Sequence, residues 1–142
     1  MLRCAREIEA PAVHALLWSA KRDIPLVEAF QADRYLHWVA DRCKNKVVWI
    51  VTQKSKIIGV MVMQENEIFY LVVSTGHRRK GTGRMLVRKA KALYKERGVK
   101  ARVAPGNVPV VSLLAAEGFR CDGAIRGTPG SITESWIGYS WS

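Results

Sequence analysis

The sequence predicts an α/β protein with one mixed sheet of about six or seven strands and about four helices. The β-branched and aromatic run 68–73 predicts a strand that is buried on both faces. A glycine-containing turn, an amphipathic helix and a further apolar run follow it, which predicts a βαβ unit with two parallel strands. Two apolar runs, 47–52 and 57–63, flank a polar turn and predict an antiparallel hairpin.

The N-terminal part is predicted to hold one short strand and two helices. The strand lies within residues 1–7. The first helix begins at Pro11, a residue that the first turn of a helix tolerates, and ends near Lys21. The second helix covers residues 31–43, where apolar and aromatic residues recur at helical spacing.

The remaining elements follow from the same patterns. The helix after the glycine turn is predicted over 81–97, with Gly98 as its left-handed C-cap. A segment rich in Gly, Pro and Ser, 126–131, predicts a hairpin loop. The other predicted elements are a strand over 99–104, a helix over 108–117, a strand over 121–125 and a last strand over 132–141.

Length and composition predict one domain over residues 1–142. With 142 residues and 49% apolar composition, the chain can form a core without metal or disulfide support. We expect a cytoplasmic protein without a membrane partner, because no apolar stretch is long enough to span a bilayer and the N-terminus lacks an apolar signal core. Cys4, Cys43 and Cys121 are widely spaced and form no C-x-x-C pair, so neither a disulfide framework nor a metal site is expected.

A basic turn that contains two glycines joins the buried strand to the helix. The first turn of a helix has unpaired N–H groups and the positive end of the helix dipole, and glycine lets an anion approach the backbone closely. The flanking cations add positive charge, so a pyrophosphate is a natural ligand. The residues of this turn are Arg78, Arg79, Lys80, Gly81, Thr82 and Gly83.

Two common phosphate motifs do not fit this turn. A P-loop has Lys and then Ser or Thr after its second glycine, whereas Gly81, the second glycine counted from Gly76, is followed by Thr82 and Gly83. A dinucleotide fingerprint from Gly81 needs a glycine where Leu86 stands, and the acidic residue expected about 20 positions later is missing. The remaining pattern, R-x-x-G-x-G, resembles the acyl-CoA signature of the GNAT N-acetyltransferase superfamily.

The sequence after the motif extends this resemblance. The family follows its signature, after one helix and one strand, with an asparagine and a short helix that ends in Gly-Phe. Here Asn107 is followed by the predicted helix and by Gly118-Phe119, so the agreement covers residues 67–119. The resemblance implies the GNAT fold, in which two parallel strands splay apart at the acyl-CoA site.

The resemblance also implies roles for individual residues. The backbone of Leu71, Val72 and Val73 would pair with the pantetheine arm of acetyl-CoA. An N–H group there, with Val73 as the candidate, would bond the acetyl oxygen, where negative charge develops. The other implied cofactor contacts are the N–H groups of Arg79, Gly81, Gly83 and Arg84, and Asn107 on the pantetheine arm.

Glu67 is the candidate general base. It stands six residues before Val73, on a strand that resembles the one carrying the glutamate base in the histone acetyltransferase branch of the superfamily. A carboxylate there could take the amine proton directly or through water. That Glu67 is only the solvated start of a strand stays open, and Glu65 and His77 are weaker candidates.

The general acid departs from the family pattern. Many members carry a tyrosine seven residues after the motif asparagine, and this position is Leu114 here. Leucine donates no proton, so Ser112, Cys121 or Tyr139 could substitute, or the thiolate leaves unprotonated. A third alternative is a domain that binds acyl-CoA without efficient turnover.

These observations predict an N-acetyltransferase that moves an acetyl group from acetyl-CoA to a primary amine by direct transfer in a ternary complex. The acceptor stays open between a small amine, a protein N-terminus and a lysine. In the family, the first two helices form one wall of the acceptor pocket. Tyr35, His37 and Trp38 are therefore candidate substrate contacts, unless they belong only to the core.

The charge of the chain leaves alternatives open. The net charge is +11, and residues 78–102 hold eleven of the 23 Lys and Arg residues but only one acid, Glu96. Such a surface suits an acidic partner, RNA or the ribosome, although a solvated helix face explains it equally well. The alternatives are a non-catalytic module that binds acyl-CoA, RNA or acidic proteins, and an acetyltransferase for a nucleic acid-bound substrate such as aminoacyl-tRNA. A homodimer through Trp136 and Trp141 also stays open.

Overall fold

The computed structural model describes residues 1–20, 32–104, 106–126 and 135–142. Within these ranges the chain forms one seven-stranded sheet and four α-helices. The strands are β1 (Leu2–Cys4), β2 (Val48–Gln53), β3 (Lys56–Gln64), β4 (Glu67–Val73), β5 (Val99–Val103), β6 (Arg120–Arg126) and β7 (Ser135–Trp141). The helices are α1 (Ala10–Ser19), α2 (Ala32–Lys44), α3 (Thr82–Leu93) and α4 (Val108–Ala116), and short 3-10 turns cover Glu7–Glu9 and Thr75–His77.

The strand order in the sheet is β1-β2-β3-β4-β5-β7-β6. All neighbouring strands are antiparallel except β4 and β5, which are parallel and are joined by α3. The predicted mixed sheet, the hairpin of β2 and β3, and the βαβ unit are therefore confirmed.

The predicted helix over 81–97 extends four residues beyond the observed end of α3 and begins one residue before its start. Helix α3 ends at Leu93, and Tyr94 leaves the helical region with φ −120°. One further turn follows the helix, and a hydrogen bond of 2.8 Å from the N–H of Gly98 to the carbonyl of Tyr94 closes it. Gly98 has the predicted left-handed φ of 81°, and a Cβ there would lie 2.6 Å from the carbonyl oxygen of Trp141. Strand β5 begins immediately after this turn, where Val99 pairs with Trp141 at the end of β7.

Other boundaries differ by smaller amounts. Strand β1 is shorter than residues 1–7, because a 3-10 turn over Glu7–Glu9 leads directly into α1. The predicted end of the first helix near Lys21 and the predicted start of the second at residue 31 lie outside the described residues. The same holds for 127–131 of the predicted loop and for the first three residues of the predicted last strand.

The sheet is buried on both faces, as its continuous apolar strands predict. Helices α1 and α2 cover one face and pack on side chains that include Ile50, Val60 and Val72. Helices α3 and α4 cover the other face and pack on side chains that include Met61 and Leu71. In the described ranges, no helix is long and apolar enough to cross a membrane.

A carboxylate–guanidinium pair joins β1 to the turn before α1. Two parallel hydrogen bonds of 2.7 Å each link Arg3 to the carboxylate of Glu9, and the N–H of Arg6 donates to the same carboxylate at 3.0 Å. The hydrogen bonds from Arg3 chiefly lower the pKa of Glu9, from 4.5 to about 2. The pair therefore stabilises the fold while Glu9 is ionised.

We expect Glu9→Gln to lower the free energy of unfolding by about 1 kcal/mol at pH 7, a modest value because solvent screens the partly exposed guanidinium of Arg3. Since the pKa is lowered in the folded state, this stabilisation is complete above pH 4.5 and is lost as the pH falls towards about 2. Urea unfolding of both proteins between pH 7 and pH 3 measures the difference. Glu65→Gln is the control, because Glu65 is 79% exposed and lies 3.9 Å from Arg97. A difference for Glu9→Gln that stays constant with pH would contradict the assignment.

Candidate active site

The parallel strands β4 and β5 pair at only two positions. Glu67 lies opposite Lys100 and Ile68 opposite Ala101, and the pairing ends there although both strands continue. The expected splay is therefore present. A cleft of about 350 Å³ opens between residues 68–71 and 101–104, and α4 contributes Val110 and Leu114 to its wall.

Backbone groups of β4 point into this cleft. The N–H of Ser74 donates to the carbonyl of Ile58 on β3 at 2.8 Å. Because backbone groups alternate in direction along a strand, the N–H groups of Leu71 and Val73 point towards β5 instead. By the same alternation, the backbone of Val72 faces β3, where Val72 is paired with Val60. Of the three predicted pantetheine contacts, Leu71 lines the cleft and Val72 faces β3. Val73 directs its N–H group towards β5 but does not line the cleft, and its carbonyl accepts a hydrogen bond from Nε of Arg78 at 3.4 Å.

The basic turn has the geometry of an anion site. Arg79 has φ 64° and Gly81, the N-cap of α3, has φ 85°. Left-handed residues at alternate positions turn successive N–H groups to one side and form a concave nest. The first intrahelical bond runs from Met85 to Gly81, so the N–H groups of Thr82, Gly83 and Arg84 have no partner within the helix. The predicted phosphate-binding residues therefore lie together at one helix N-terminus, and this backbone fits a pyrophosphate.

Close packing places α3 against the sheet and against α4. A Cβ on Gly59 of β3 would lie 2.7 Å from the methyl group of Thr82, and a Cβ on Gly83 would lie 2.8 Å from a methyl group of Leu113. The side chain of Thr82 is buried, so only its backbone can meet a ligand. Gly81, in contrast, has open space around the position of a Cβ. Gly83 is thus needed for helix packing, whereas Gly81 is needed for its backbone conformation.

A buried carboxylate that the sequence analysis missed holds α4 to α3. Glu117 is only 7% exposed in its side chain, and three cations of α3 surround it. Arg88 donates to its carboxylate at 3.1 Å and Lys91 donates to its carbonyl at 2.9 Å, while Arg84 lies 3.8 Å away. Part of the positive charge in residues 78–102 therefore has a structural role. In the sequence, the helical spacing of Arg84, Arg88 and Lys91, which puts them on one helix face, was the signal that could have indicated a shared acidic partner.

Glu67 lies where β4 and β5 still pair. Its carboxylate is 2.8 Å from Nε of Arg102, and its side chain is only 18% exposed. Glu67 is the first residue of β4, as the alternative interpretation has it, but its side chain is largely covered and paired instead of solvated. Of the weaker base candidates, Glu65 is largely exposed, and His77 lies in the 3-10 turn before the basic turn.

The structure does not bring the proposed substitute acids to the cleft. Leu114 is fully buried and lines the cleft, as does Asn107. Ser112 and Cys121 are exposed, and Tyr139 packs in the core beneath α3 and α4. None of these three lines the cleft, and Tyr70 is the hydroxyl-bearing residue among the described ones that do.

A β-bulge makes β4 a wall of two cavities. Val62 pairs with Tyr70 but Met63 pairs with Ile68, so Phe69 is the extra residue of the bulge. Its ring lies 4.6 Å from that of Tyr70, and both rings pack on the side of α1 and α2.

A second pocket of about 470 Å³ lies on that side, lined by Tyr35, Trp38, Arg42, Met63, Phe69 and Tyr70. The sequence analysis did not place Phe69 and Tyr70 at a pocket, because a continuous apolar run does not reveal a bulge. It did not place Arg42 there either, because the side of β4 that α2 faces depends on the tertiary structure. The remaining candidate contact, His37, is exposed and does not line this pocket.

A sequence model described as the acetyltransferase (GNAT) family matches residues 10–119. The chain belongs to the acetyltransferase (GNAT) family. It is therefore an acyl-CoA-dependent transferase, and the resemblance found in the motif is confirmed. No curated protein matches this GNAT chain in sequence.

Solved structures share the fold of this GNAT chain. Ribosomal-protein-alanine N-acetyltransferase from Brucella melitensis matches with a TM-score of 0.75 and 18% identity, over 99% of this chain and 98% of that chain. The structure of yncA from Salmonella typhimurium with its cofactor acetyl-CoA matches with a TM-score of 0.76 and 15% identity, over 99% and 92%. The GNAT-like decarboxylase GphF in complex with isobutyryl-CoA matches with a TM-score of 0.72 and 14% identity, over 99% and 97%. At such identities the likeness shows the fold alone.

We expect Gly81→Ala to lower the free energy of unfolding of the GNAT chain by about 1 kcal/mol, because alanine is strained at a positive φ. Gly76→Ala is the matched control, since Gly76 also has open space around its Cβ position but has no left-handed φ. Urea unfolding at pH 7 measures both values. Equal stability of the two variants would show that the left-handed conformation at Gly81 carries no strain.

Proposed function

We propose that the chain transfers an acetyl group from acetyl-CoA to a primary amine by direct transfer in a ternary complex. The observation that carries this proposal is the splay of β4 and β5, because the part of β4 that no longer pairs with β5 leads along the chain directly into the basic turn at the start of α3. Acetyl-CoA has parts that match both features: a thioester on a long polar arm for the splay, and a pyrophosphate for the turn. The match of yncA, which was solved with acetyl-CoA, supports the choice of acyl donor.

The residues of the turn and the cleft would divide the binding of acetyl-CoA between them. The N–H groups of Arg79, Gly81, Gly83 and Arg84 would bind the pyrophosphate, with charge from Arg78 and Lys80. The backbone of Leu71 and Val73 would pair with the pantetheine arm, as the unpaired edge of a strand pairs with an added strand. Asn107 at the start of α4 would bond the same arm, since it lines the cleft.

The chemistry needs a neutral amine, a polarised carbonyl and alignment of the two. The amine nitrogen forms a bond to the carbonyl carbon, the C–S bond breaks, and the amine proton leaves. The N–H of Val73 would bond the carbonyl oxygen as it gains negative charge. Glu67 would accept the amine proton directly or through water, and Arg102 would keep its carboxylate at the edge of the cleft.

The cysteines give no support to a covalent enzyme intermediate. None of the three lines the cleft. Cys43 is buried, and burial raises the pKa of its thiol to about 11, which disfavours the nucleophilic thiolate. Direct transfer from the thioester to the amine is therefore the simpler route.

No side chain at the usual tyrosine position protonates the leaving thiolate, because that residue is Leu114. A thiolate is a weak base near neutral pH and can leave without enzymic protonation or take its proton from water. Turnover that is slower than with a tyrosine, but not absent, follows from this arrangement.

Location in the cytoplasm, a homodimer and a nucleic acid partner stay predictions of the sequence. For the last of these, Glu117 supplies one carboxylate to three cations of α3, so the surface where α3 meets α4 keeps excess positive charge. Transfer to a nucleic acid-bound amine is therefore the second candidate function.

We expect the protein to bind acetyl-CoA and Gly81→Asp to weaken binding about tenfold or more, because the new carboxylate repels the pyrophosphate. Isothermal titration measures both affinities. Gly123→Asp is the control, because Gly123 also has a positive φ and open space but lies on β6, three strands away from β4. Failure of the unchanged protein to bind acetyl-CoA would reject the proposed function.

We expect Glu67→Gln to lower kcat for amine acetylation by about 10²- to 10⁴-fold, the usual contribution of a general base. The affinity for acetyl-CoA should not change, because Glu67 lies six residues before Val73 and away from the turn. Steady-state kinetics and isothermal titration measure the two effects separately. Glu65→Gln is the control, since that side chain is exposed. An unchanged kcat in Glu67→Gln would exclude Glu67 as the base.

A further inference from the structure

The pocket on the α2 side of β4 has rigid aromatic walls. The rings of Tyr35 and Trp38 stack at 5.8 Å, and the ring of Trp38 lies 5.7 Å from that of Phe69. Because these rings are held by the core beneath α1 and α2, the pocket presents a preformed apolar surface.

One charged side chain lines the pocket, that of Arg42, and no acidic side chain of the described residues does so. The guanidinium lies over the ring of Trp38 at 5.9 Å, and its Nη2 bonds the neighbouring Asp41. Its Nε is buried, and among the residues that the structure describes none accepts a hydrogen bond from it. A buried donor without an acceptor is costly, so this group favours an oxygen acceptor from a ligand.

The pocket is adjacent to the cleft. Phe69 and Tyr70 line both cavities, one on each side of β4. Gln64, which also lines the pocket, is paired with Glu67 across the end of β3 and β4. A molecule in the pocket would therefore lie against the same strand that borders the cleft and carries the proposed base.

From these features we propose that the pocket selects a small primary amine that carries an aromatic group and a carboxylate, with an aromatic α-amino acid as the simplest member of the class. The aromatic group would pack on Trp38 and Phe69, and the carboxylate would accept hydrogen bonds from Arg42. The guanidinium over Trp38 would repel a second cation, so linear polyamines are disfavoured. This inference rests on the proposed acetyl transfer, but it also predicts binding without transfer.

The first experiment measures binding alone. The protein, saturated with CoA, is titrated with L-phenylalanine and with L-phenylalaninamide, which differ only in the carboxylate. We expect the amide to bind about tenfold more weakly or worse. Arg42→Gln should abolish this difference and Arg42→Lys should restore part of it, whereas Lys44→Gln, an exposed cation on the same helix, should leave it unchanged.

The second experiment measures acetyl transfer to the same pair, to alanine and to a linear polyamine. We expect Arg42→Gln to raise KM for L-phenylalanine about tenfold with little change in kcat. Trp38→Leu should raise KM for phenylalanine more than for alanine. Circular dichroism confirms that each variant is folded.

The outcomes separate the two proposals. Carboxylate-dependent binding without acetylation of any amine would support the pocket assignment and reject the proposed function. Acetylation without preference for the carboxylate, a preference that survives Arg42→Gln, or a polyamine as the best acceptor would overturn the pocket assignment and leave the transferase proposal standing.

Discussion

The divergence of β4 from β5 is the constraint on which the rest of the site depends. Two parallel strands inside a sheet normally satisfy each other's backbone groups along their whole length. Here the pairing stops after Ile68 and Ala101, and α4 lines the gap without supplying a further strand. The backbone of Leu71 is thereby directed into a cleft in the centre of the sheet, and the N–H group of Val73 also points towards β5. An extended ligand can complete the interrupted ladder, which is why the fold suits a pantetheine arm.

The position of α3 connects that cleft to the proposed anion-binding turn. The helix begins close to β3 because Gly59 leaves room for Thr82, and it approaches α4 because Gly83 leaves room for Leu113. The carboxylate of Glu117 then joins α4 to the cations of α3. Since the turn is the first part of α3, these contacts also place the free N–H groups at the open end of the splay. Packing and electrostatics between α3, α4 and the sheet thus fix the position of the proposed phosphate-binding turn.

Strand β4 borders a cavity on each of its two sides. Its backbone faces the cleft, while the bulge at Phe69 directs an extra aromatic ring towards α2. The ion pair of Glu67 with Arg102 lies at the end where β4 and β5 remain paired, so the carboxylate is held in place instead of moving in solvent. The proposed acyl site, the proposed base and the aromatic pocket therefore all lie along this one strand.

The sequence by itself determined the elements whose cause is local. The apolar run of β4, the basic glycine turn, the following helix and Asn107 were all predicted, because strand burial, turn chemistry and helix periodicity are properties of neighbouring residues. Together with the motif they also identified the family. Tertiary structure alone decided the early end of α3, the bulge at Phe69, and the partners of Glu67 and Glu117. Each of these depends on strand register or on the distance between elements far apart in the chain, and periodicity contains no information on either. The orientation of Arg42 towards an aromatic pocket belongs to the same class, since it requires α2 to lie across β3 and β4.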